Sequence, residues 1–301
     1  STGGTVDLGG KTLSVGRDNE STTFAGVIMG DSGTGALVKQ GTGTFTLSGA
    51  NTFSGGTTVQ AGILQAGVSS TESPSFINGP FGVGSVTVNS GAGLDLNGFT
   101  VANNLTLAGT GHDVLDDGTQ LTGALFNSAA GTATVNGNIG LSADTTVRNV
   151  GALVINGTID KATGAAGSAL TFANTGLVTL SGIVGGSSPI ASLQIDHASV
   201  IDANVTTVGT QTFGGAVALG SSVTLATTDS TVHFQSTLNS EASEDNNLTI
   251  NAGSGAVTFD GVIGGLTDGE LGDFVVNSTG KTWFKSAVTA ASVTTNSGGT
   301  L

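Results

Sequence analysis

The stretch from Gly41 to Gly67, GTGTFTLSGANTFSGGTTVQAGILQAG, limits the possible folds more than any other part of the chain. Apolar and polar side chains alternate there in two short runs, one around Phe45 and Leu47 and one from Val59 to Leu64. Such alternation is typical of half-buried β-strands. The turn residues between the runs leave no room for a crossover helix, so each strand has to bury its apolar face against a strand stacked above or below it. The stretch therefore predicts a β-solenoid.

Composition agrees with a packed repeat protein. The chain has 301 residues, of which 51 are glycine, 9% are charged and 37% are hydrophobic. These values exclude a disordered acidic tail, and the glycines lack the strict period of collagen. Because each solenoid repeat contacts only its neighbours, chain length sets no limit on such a domain. We expect one continuous solenoid domain over residues 1–301, as a fragment or processed piece of a longer protein.

The charge balance limits the possible partners. The chain carries 21 acidic and 7 basic residues, a formal net charge of -14. This balance opposes binding to nucleic acid and to anionic lipid, both of which require clustered Lys and Arg. No apolar run is long enough to span a membrane as a helix, so we expect no direct membrane insertion. Cysteine is absent, so no disulfide can stabilise the chain.

The opening stretch closely resembles the passenger-associated repeat of bacterial autotransporters. The positions that fill the repeat's pattern are Gly41, Gly43, Thr44, Leu47, Gly49, Asn51, Phe53, Gly55, Gly56, Thr57, Val59, Gly62 and Leu64. Phe45 stands where the family often has Leu, and the run from Gly84 to Gly109 is similar to the rungs that commonly follow the repeat. The resemblance implies an all-β fold, a right-handed parallel β-helix or β-solenoid with short loop excursions. It also implies export and display at the bacterial cell surface.

Glycines at turns suggest the length of one coil. Gly137 and Gly157 lie 157 − 137 = 20 residues apart, a spacing typical of a β-helix coil. A longer period overlies this one, because GLVTLSGIVGG from Gly176 and GAVTFDGVIGG from Gly255 are alike. The two similar segments predict a duplicated block of three or four coils.

Four segments interrupt the alternation and are predicted to protrude as loops that carry recognition. They are Ser69 to Gly82, His112 to Gln120, Glu241 to Asn247 and Thr267 to Asp273. The first contains Pro74 and Pro80, and proline cannot donate a hydrogen bond to a strand ladder.

Two side-chain features at strands and turns lead to further predictions. Asn51, Asn97, Asn136 and Asn156 lie at or near turn glycines, and two interpretations stay open: a stacked side-chain ladder or simple turn residues. Trp283 and Phe284 are neighbours on a strand, so one is expected to face the core and the other the solvent.

Catalytic signals are weak. Of the three histidines, His112, His197 and His233, none lies at a spacing that predicts joint action, and a Ser/His/Asp set is recognised by geometry, not by sequence position. The alternative is cleavage of polysaccharides by paired carboxylates on the outer face. The candidate carboxylates are Asp116, Asp117, Asp260, Asp268, Glu270 and Asp273. Only five Lys and two Arg could neutralise an acidic sugar, and fold alone does not establish an activity. We predict no catalytic residue, no cofactor-binding residue and no enzymatic function.

Two acidic loops are candidates for Ca²⁺, the one cofactor considered. Their carboxylates are Glu241, Glu244 and Asp245 in the first loop, and Asp268, Glu270 and Asp273 in the second. Hard cations such as Ca²⁺ prefer oxygen ligands of this kind. The spacing matches no EF-hand, so solvated acidic loops are the alternative interpretation.

Together these observations predict an extracellular β-helical rod that is structural or adhesive and not catalytic. The expected partner is a cell-surface or glycan ligand that binds its loops. The alternative is a subunit that pairs end to end with further copies of itself to form a filament or surface layer, since exposed strand edges are templates for pairing.

Overall fold

The computed structural model describes residues 3–30, 34–72, 75–113, 122–165, 167–173 and 175–296. In this part of the chain every regular element is a β-strand, and no helix there could cross a membrane. The chain divides into two compact units. Unit 1 comprises Ser1–Gly157 with Ala162–Ala166, and unit 2 comprises Thr158–Lys161 with Gly167–Leu301. The expectation of one continuous domain stays a prediction.

Unit 1 is built from short strands that alternate with glycine-rich turns. Its strands are β1 (Thr5–Asp7), β2 (Thr12–Val15), β3 (Thr22–Phe24), β4 (Val27–Met29), β5 (Ala36–Lys39), β6 (Thr44–Leu47), β7 (Thr57–Val59), β8 (Gly62–Ala66), β9 (Thr71–Glu72), β10 (Phe76–Asn78), β11 (Val86–Val88), β12 (Ala92–Asp95), β13 (Thr100–Val101), β14 (Leu105–Gly109), β15 (Leu125–Asn127), β16 (Ala133–Val135), β17 (Ile139–Asn149) and β18 (Leu153–Ile155).

Unit 2 continues the same kind of element. Its strands are β19 (Ile159–Lys161), β20 (Ala169–Phe172), β21 (Val178–Leu180), β22 (Ser192–Ile195), β23 (Ser199–Ile201), β24 (Val205–Thr207), β25 (Gln211–Phe213), β26 (Val217–Leu219), β27 (Val223–Thr227), β28 (Val232–Phe234), β29 (Leu238–Ser240), β30 (Leu248–Gly253), β31 (Val257–Phe259), β32 (Leu271–Ser278), β33 (Thr282–Phe284) and β34 (Ala290–Thr295).

Parallel ladders stack these strands in unit 1. One ladder joins β2, β5, β7, β11, β14 and the first part of β17. A second joins β3, β6, β8, β12, β15 and the last part of β17. A third joins β13, β16 and β18. Each coil therefore has three sides, and the predicted parallel β-solenoid is confirmed in this unit.

Unit 2 has the same three-sided construction. Its ladders are β20, β22, β25, β28, β31 and β33 on one side, β21, β23, β26 and β29 on the next, and β24, β27, β30, β32 and β34 on the third. Coil length varies within a ladder. The coil that begins at Leu193 returns to the same side at Gln211, whereas the longer coil that begins at Phe234 returns only at Phe259.

The interior of each unit is filled mainly by stacked apolar side chains. In unit 2, Phe213, Phe234, Phe259 and Phe284 stack in parallel, with ring centroids 4.7, 5.1 and 5.2 Å apart. On the outer face of unit 1, threonines occupy equivalent positions of β7, β11 and β14. This distribution follows the inward and outward alternation that the sequence predicted.

The predicted excursion at Ser69 to Gly82 is confirmed. It contains the antiparallel pair β9 and β10, which stands apart from the parallel ladders. It returns to the solenoid through Phe81, which is fully buried. The predicted loop from His112 to Gln120 lies outside the described residues from position 114 onwards.

The predicted duplication of coils is wrong. Val178 of the first similar segment stacks through β23, β26 and β29 onto Ile263. Val257 of the second segment instead stacks on Val232 of β28. The two segments thus lie on different sides of the coil. They look alike because apolar pairs and turn glycines meet the same local requirements on every side.

Candidate functional site

The residues of the Gly41 to Leu64 motif have structural roles. Leu47, Val59 and Leu64 are completely buried in the interior stripe of β6, β7 and β8. Gly49 stacks directly on Gly26 of the preceding coil, and a Cβ at Gly49 would clash with the Gly26 carbonyl oxygen. The motif therefore fills the core and lets neighbouring turns approach closely.

The polar members of the motif tie the excursion to the solenoid. The buried Asn51 accepts a hydrogen bond at Oδ1 from the backbone N–H of Ile28 (2.7 Å) and donates from Nδ2 to the carbonyl oxygen of Pro80 (2.6 Å). The Thr57 hydroxyl donates to the carbonyl oxygen of Phe81 (3.0 Å). These bonds satisfy backbone groups that the irregular chain path leaves outside the ladders.

The two interpretations of the turn asparagines both apply, at different positions. Asn156 donates from Nδ2 to Oδ1 of Asn136 (2.8 Å), and Asn136 donates in turn to the carboxylate of Glu72. A ladder is thus confirmed at these two positions. Asn97 has a positive φ of 48° and donates to the carbonyl oxygen of Ala66 (3.1 Å), so it is a turn residue. Asn51 fits neither interpretation, because it is fully buried and forms an isolated antiparallel bridge with Gly79.

A buried lysine was missed by the sequence reasoning. Lys39, at the end of β5, has no exposed surface. Its Nζ donates to the carbonyl oxygens of Gln40 (2.7 Å), Gly41 (2.8 Å) and Ala61 (3.2 Å). Burial lowers the pKa of Lys39 from 10.5 to about 8, and the charge of Asp18 opposes part of this shift. The amine serves as an internal cap for turn carbonyls.

The two acidic loops proposed for Ca²⁺ lie against each other. Glu241, Glu244 and Asp245 belong to the first loop, Asp268 and Glu270 to the second, and Asp273 to β32. The Ser243 N–H donates to the Asp268 carbonyl oxygen (2.8 Å), and the Asp273 carboxylate accepts from the hydroxyl of Ser292 (2.7 Å). Within the described ranges, no three Asp, Glu, His or Cys side chains form a group that could hold a metal ion. Calcium binding at these loops stays a prediction.

A polar cluster lies on the outer face of β28, β31 and β33. The Asp260 carboxylate contacts Nε2 of His233 (2.9 Å) and Nζ of Lys285 (2.7 Å). The hydrogen bond from Lys285, and after it that from His233, lowers the pKa of Asp260. The three residues belong to three successive coils of one ladder, so only knowledge of the coil lengths could have brought them together.

Asp260 does not suit the role of general acid in glycoside cleavage. A general acid for that reaction needs a raised pKa, whereas the pKa of Asp260 is lowered. Of the other predicted carboxylates, Asp116 and Asp117 lie outside the described residues.

Trp283 and Phe284 point in opposite directions, as predicted. Trp283 is 47% exposed, and Phe284 stacks on Phe259 inside the solenoid, with ring centroids 5.2 Å apart. Nζ of Lys281 lies 5.8 Å from the Trp283 ring centroid, within the range of a cation–π contact. An exposed aromatic ring beside charged groups is a feature of binding surfaces.

A groove of about 530 Å³ follows the ladder of β23, β26 and β29 in unit 2. Its lining is almost wholly apolar and includes Val200, Ala218 and Leu266. It contains no charged side chain. The groove therefore offers apolar contact and no acid or base for chemistry.

Comparison with known proteins supports the sequence resemblance. The family model described as the passenger-associated-transport-repeat matches residues 37–66. The chain is also similar to the adhesin BmaC autotransporter of Brucella suis biovar 1 (strain 1330), with 42% identity over 99 residues. Residues 37–66 thus match the passenger-associated-transport-repeat, as the sequence resemblance predicted.

The similar region is limited in extent. It covers 32% of this chain and 2% of the length of the Brucella adhesin. No solved structure matches the chain.

Proposed function

We propose that this chain is a non-catalytic, adhesive β-solenoid section of a bacterial protein that is secreted or displayed at the cell surface. Its partner is a cell-surface or glycan ligand. The observation that carries the proposal is the passenger repeat at residues 37–66, together with 42% identity to an autotransporter adhesin over 99 residues. The same similarity favours a non-enzymatic role.

The structure is consistent with a scaffold that presents binding surfaces. Backbone ladders hold each coil on the next, and the interior apolar stripe makes each unit stable without disulfides. Recognition is left to the outer faces and to loops that leave the ladders, such as the β9 and β10 excursion and the acidic loops of unit 2. Binding residues commonly lie on loops that a rigid scaffold positions.

Adhesion can be measured with beads that carry the purified chain. We expect several-fold more beads to be retained on a host-cell monolayer than beads that carry the heat-unfolded chain, because folded surfaces make the contacts. A Glu241→Gln, Glu244→Gln, Asp245→Asn variant tests the first acidic loop and a Lys11→Ala variant is the control. Equal retention of folded and unfolded chains would contradict the adhesive role.

The second candidate is self-assembly through strand edges. In the described residues β34 pairs with β32 on one side, and most of its residues are exposed, including Val293 at 47%. Such an edge can pair with a strand of another copy. If this is the function, filaments should appear in electron micrographs as protein concentration rises, and Val293→Lys should suppress them. A chain that stays monomeric at every concentration would exclude this candidate.

A further inference from the structure

The outer face of β31 and β33 brings together side chains that are far apart in the sequence. The ladder pairs His233 with Thr258 and Thr258 with Trp283, so these three outward positions are stacked. Thr258 is only 8% exposed, although it points outwards, because it lies between the two larger side chains. Asp260 and Lys285 form an ion pair at 2.7 Å beside this row. The result is a patch with one aromatic ring and several hydrogen-bonding groups.

This patch is positive on a strongly acidic chain. The whole chain has five lysines and a formal net charge of -14. Two of those lysines, Lys281 and Lys285, lie two residues on either side of Trp283 and share its outward face, and all three side chains are exposed. With His233 neutral, the two lysines and Asp260 give the patch a net charge of 2 − 1 = +1. Asp260 is already paired with Lys285, so Lys281 is left to attract an anion.

A concavity accompanies the patch. It has a volume of about 410 Å³ and is lined by residues 282–285, including Trp283 and Lys285. This volume is within the range of about 300–1,000 Å³ that is usual for ligand pockets.

We infer that this patch binds an acidic saccharide, a sugar that carries a carboxylate. The flat C–H face of a sugar ring fits an exposed indole, whose ring face is electrostatically negative. Lys281 would hold the sugar carboxylate by a charge-assisted hydrogen bond. Asp260 accepts hydrogen bonds from hydroxyl groups, while His233 and Lys285 keep it in place. The inference rests on the proposed adhesive function and names the class of glycan that one site recognises.

The chain supplies its own probe for this site. Trp283 is the sole tryptophan and tyrosine is absent, so intrinsic fluorescence reports on the patch alone. The full chain is titrated with trigalacturonic acid and, separately, with its fully methyl-esterified form, which has the same rings without the charge. We expect the acid to change the Trp283 emission saturably. The ester should bind about tenfold or more weakly, the size of one charge-assisted hydrogen bond.

Variants separate the roles of the ring and the cation. Lys281→Ala should weaken binding of the acid about tenfold and leave binding of the ester unchanged. Lys11→Ala, at an exposed lysine of unit 1, should change neither. Trp283→Ala, measured by calorimetry with circular dichroism as a check on folding, should abolish binding of both.

Either of two binding results would overturn the inference, and a third result, from the cell assay, would remove the site from adhesion. One is equal affinity for the acid and the ester in the unaltered chain, and the other is no binding of either. If beads that carry the Trp283→Ala variant were retained on cells as well as beads that carry the unaltered chain, adhesion would depend on another site. That outcome would contradict a role of this site in adhesion and leave the proposed function intact. If beads that carry the unaltered chain were not retained on cells, the proposed function itself would be contradicted.

Discussion

Replacing Phe259 with alanine is expected to lower the free energy of unfolding of unit 2 by about 3–5 kcal/mol, the usual cost of removing a buried phenylalanine. Phe259 is 1% exposed. Its ring stacks between Phe234 at 5.1 Å and Phe284 at 5.2 Å, and the edge contact with Phe274 is 5.3 Å. The substitution therefore removes three aromatic contacts and leaves a cavity that interior side chains on fixed ladders cannot fill.

The loss of unfolding free energy should depend on where the replaced phenylalanine lies within the stack. Phe213 lies at one end and stacks on a single ring, Phe234, at 4.7 Å, so Phe213→Ala should cost less than Phe259→Ala. Val208, also in unit 2, is 53% exposed, and Val208→Ala serves as the control. Urea unfolding followed by Trp283 fluorescence reports on unit 2, where the stack lies. Equal losses for Phe259→Ala and Val208→Ala would show that the stack does not stabilise the coils.

The backbone arrangement of this protein could be predicted from its sequence because strand alternation acts locally. Leu47 of β6 and Val59 of β7 lie at the alternate buried positions that the pattern requires, and Leu64 of β8 is fully buried as well. The turn glycines Gly137 and Gly157 stack one coil apart, as their spacing indicated. Each of these predictions needs only the residues of one or two neighbouring coils.

Contacts between distant coils could not be predicted in the same way. In one ladder of unit 2 the step between coils is short from Leu193 to Gln211 and clearly longer from Phe234 to Phe259. A coil length inferred from one pair of coils therefore does not predict which residues stack in the next pair. The contacts of Asp260 with His233 and with Lys285 depend on two such steps, and the same variation made the duplicated block a wrong prediction.

Lys39 is an interior residue whose inward position could have been inferred from the strand alternation but was overlooked. It has the same strand parity as Leu37, and the ladders pair it with Val15 on one side and Val59 on the other. Lysine is almost never fully buried unless it has partners, so composition argues for an outward position. The partners here are backbone carbonyls at a turn, such as that of Gly41, and no side-chain pattern reveals them.

The stability of unit 1 is expected to rise with pH between about 8 and 10.5 because of this lysine. The pKa of Lys39 is about 8 in the folded chain and has its ordinary value of 10.5 when unfolded. In that window the unfolded chain binds a proton that the folded chain does not, so raising the pH favours folding. Below about pH 8 Lys39 is protonated in both the folded and the unfolded chain, and the buried charge lowers the stability by its full cost. The full gain is about 3 kcal/mol, with a slope of at most about 1.4 kcal/mol per pH unit.

Other groups contribute little to the pH dependence of stability in this window, so a change can be assigned to Lys39. The chain has no Tyr and no Cys, the two other side chains that commonly titrate between pH 8 and 10. The midpoint of thermal unfolding, followed by circular dichroism, should rise between pH 7.5 and 10. In Lys39→Met the rise should disappear, since the titrating group is gone, while Lys11→Met should retain it.

The methionine variant also separates charge from hydrogen bonding. At pH 10 the neutral amine of Lys39 still donates to the carbonyl oxygens of Gln40 and Gly41, whereas methionine leaves these buried acceptors without a donor. Lys39→Met should therefore be less stable than the unaltered chain at pH 10, because each unsatisfied buried group costs about 1–3 kcal/mol. At pH 7.5 the deficit should be smaller, since the unaltered chain then bears the cost of its buried charge. A deficit that is the same at both pH values would mean that the amine is protonated in the fold throughout, and that the turn carbonyls stabilise its charged form as well as water does.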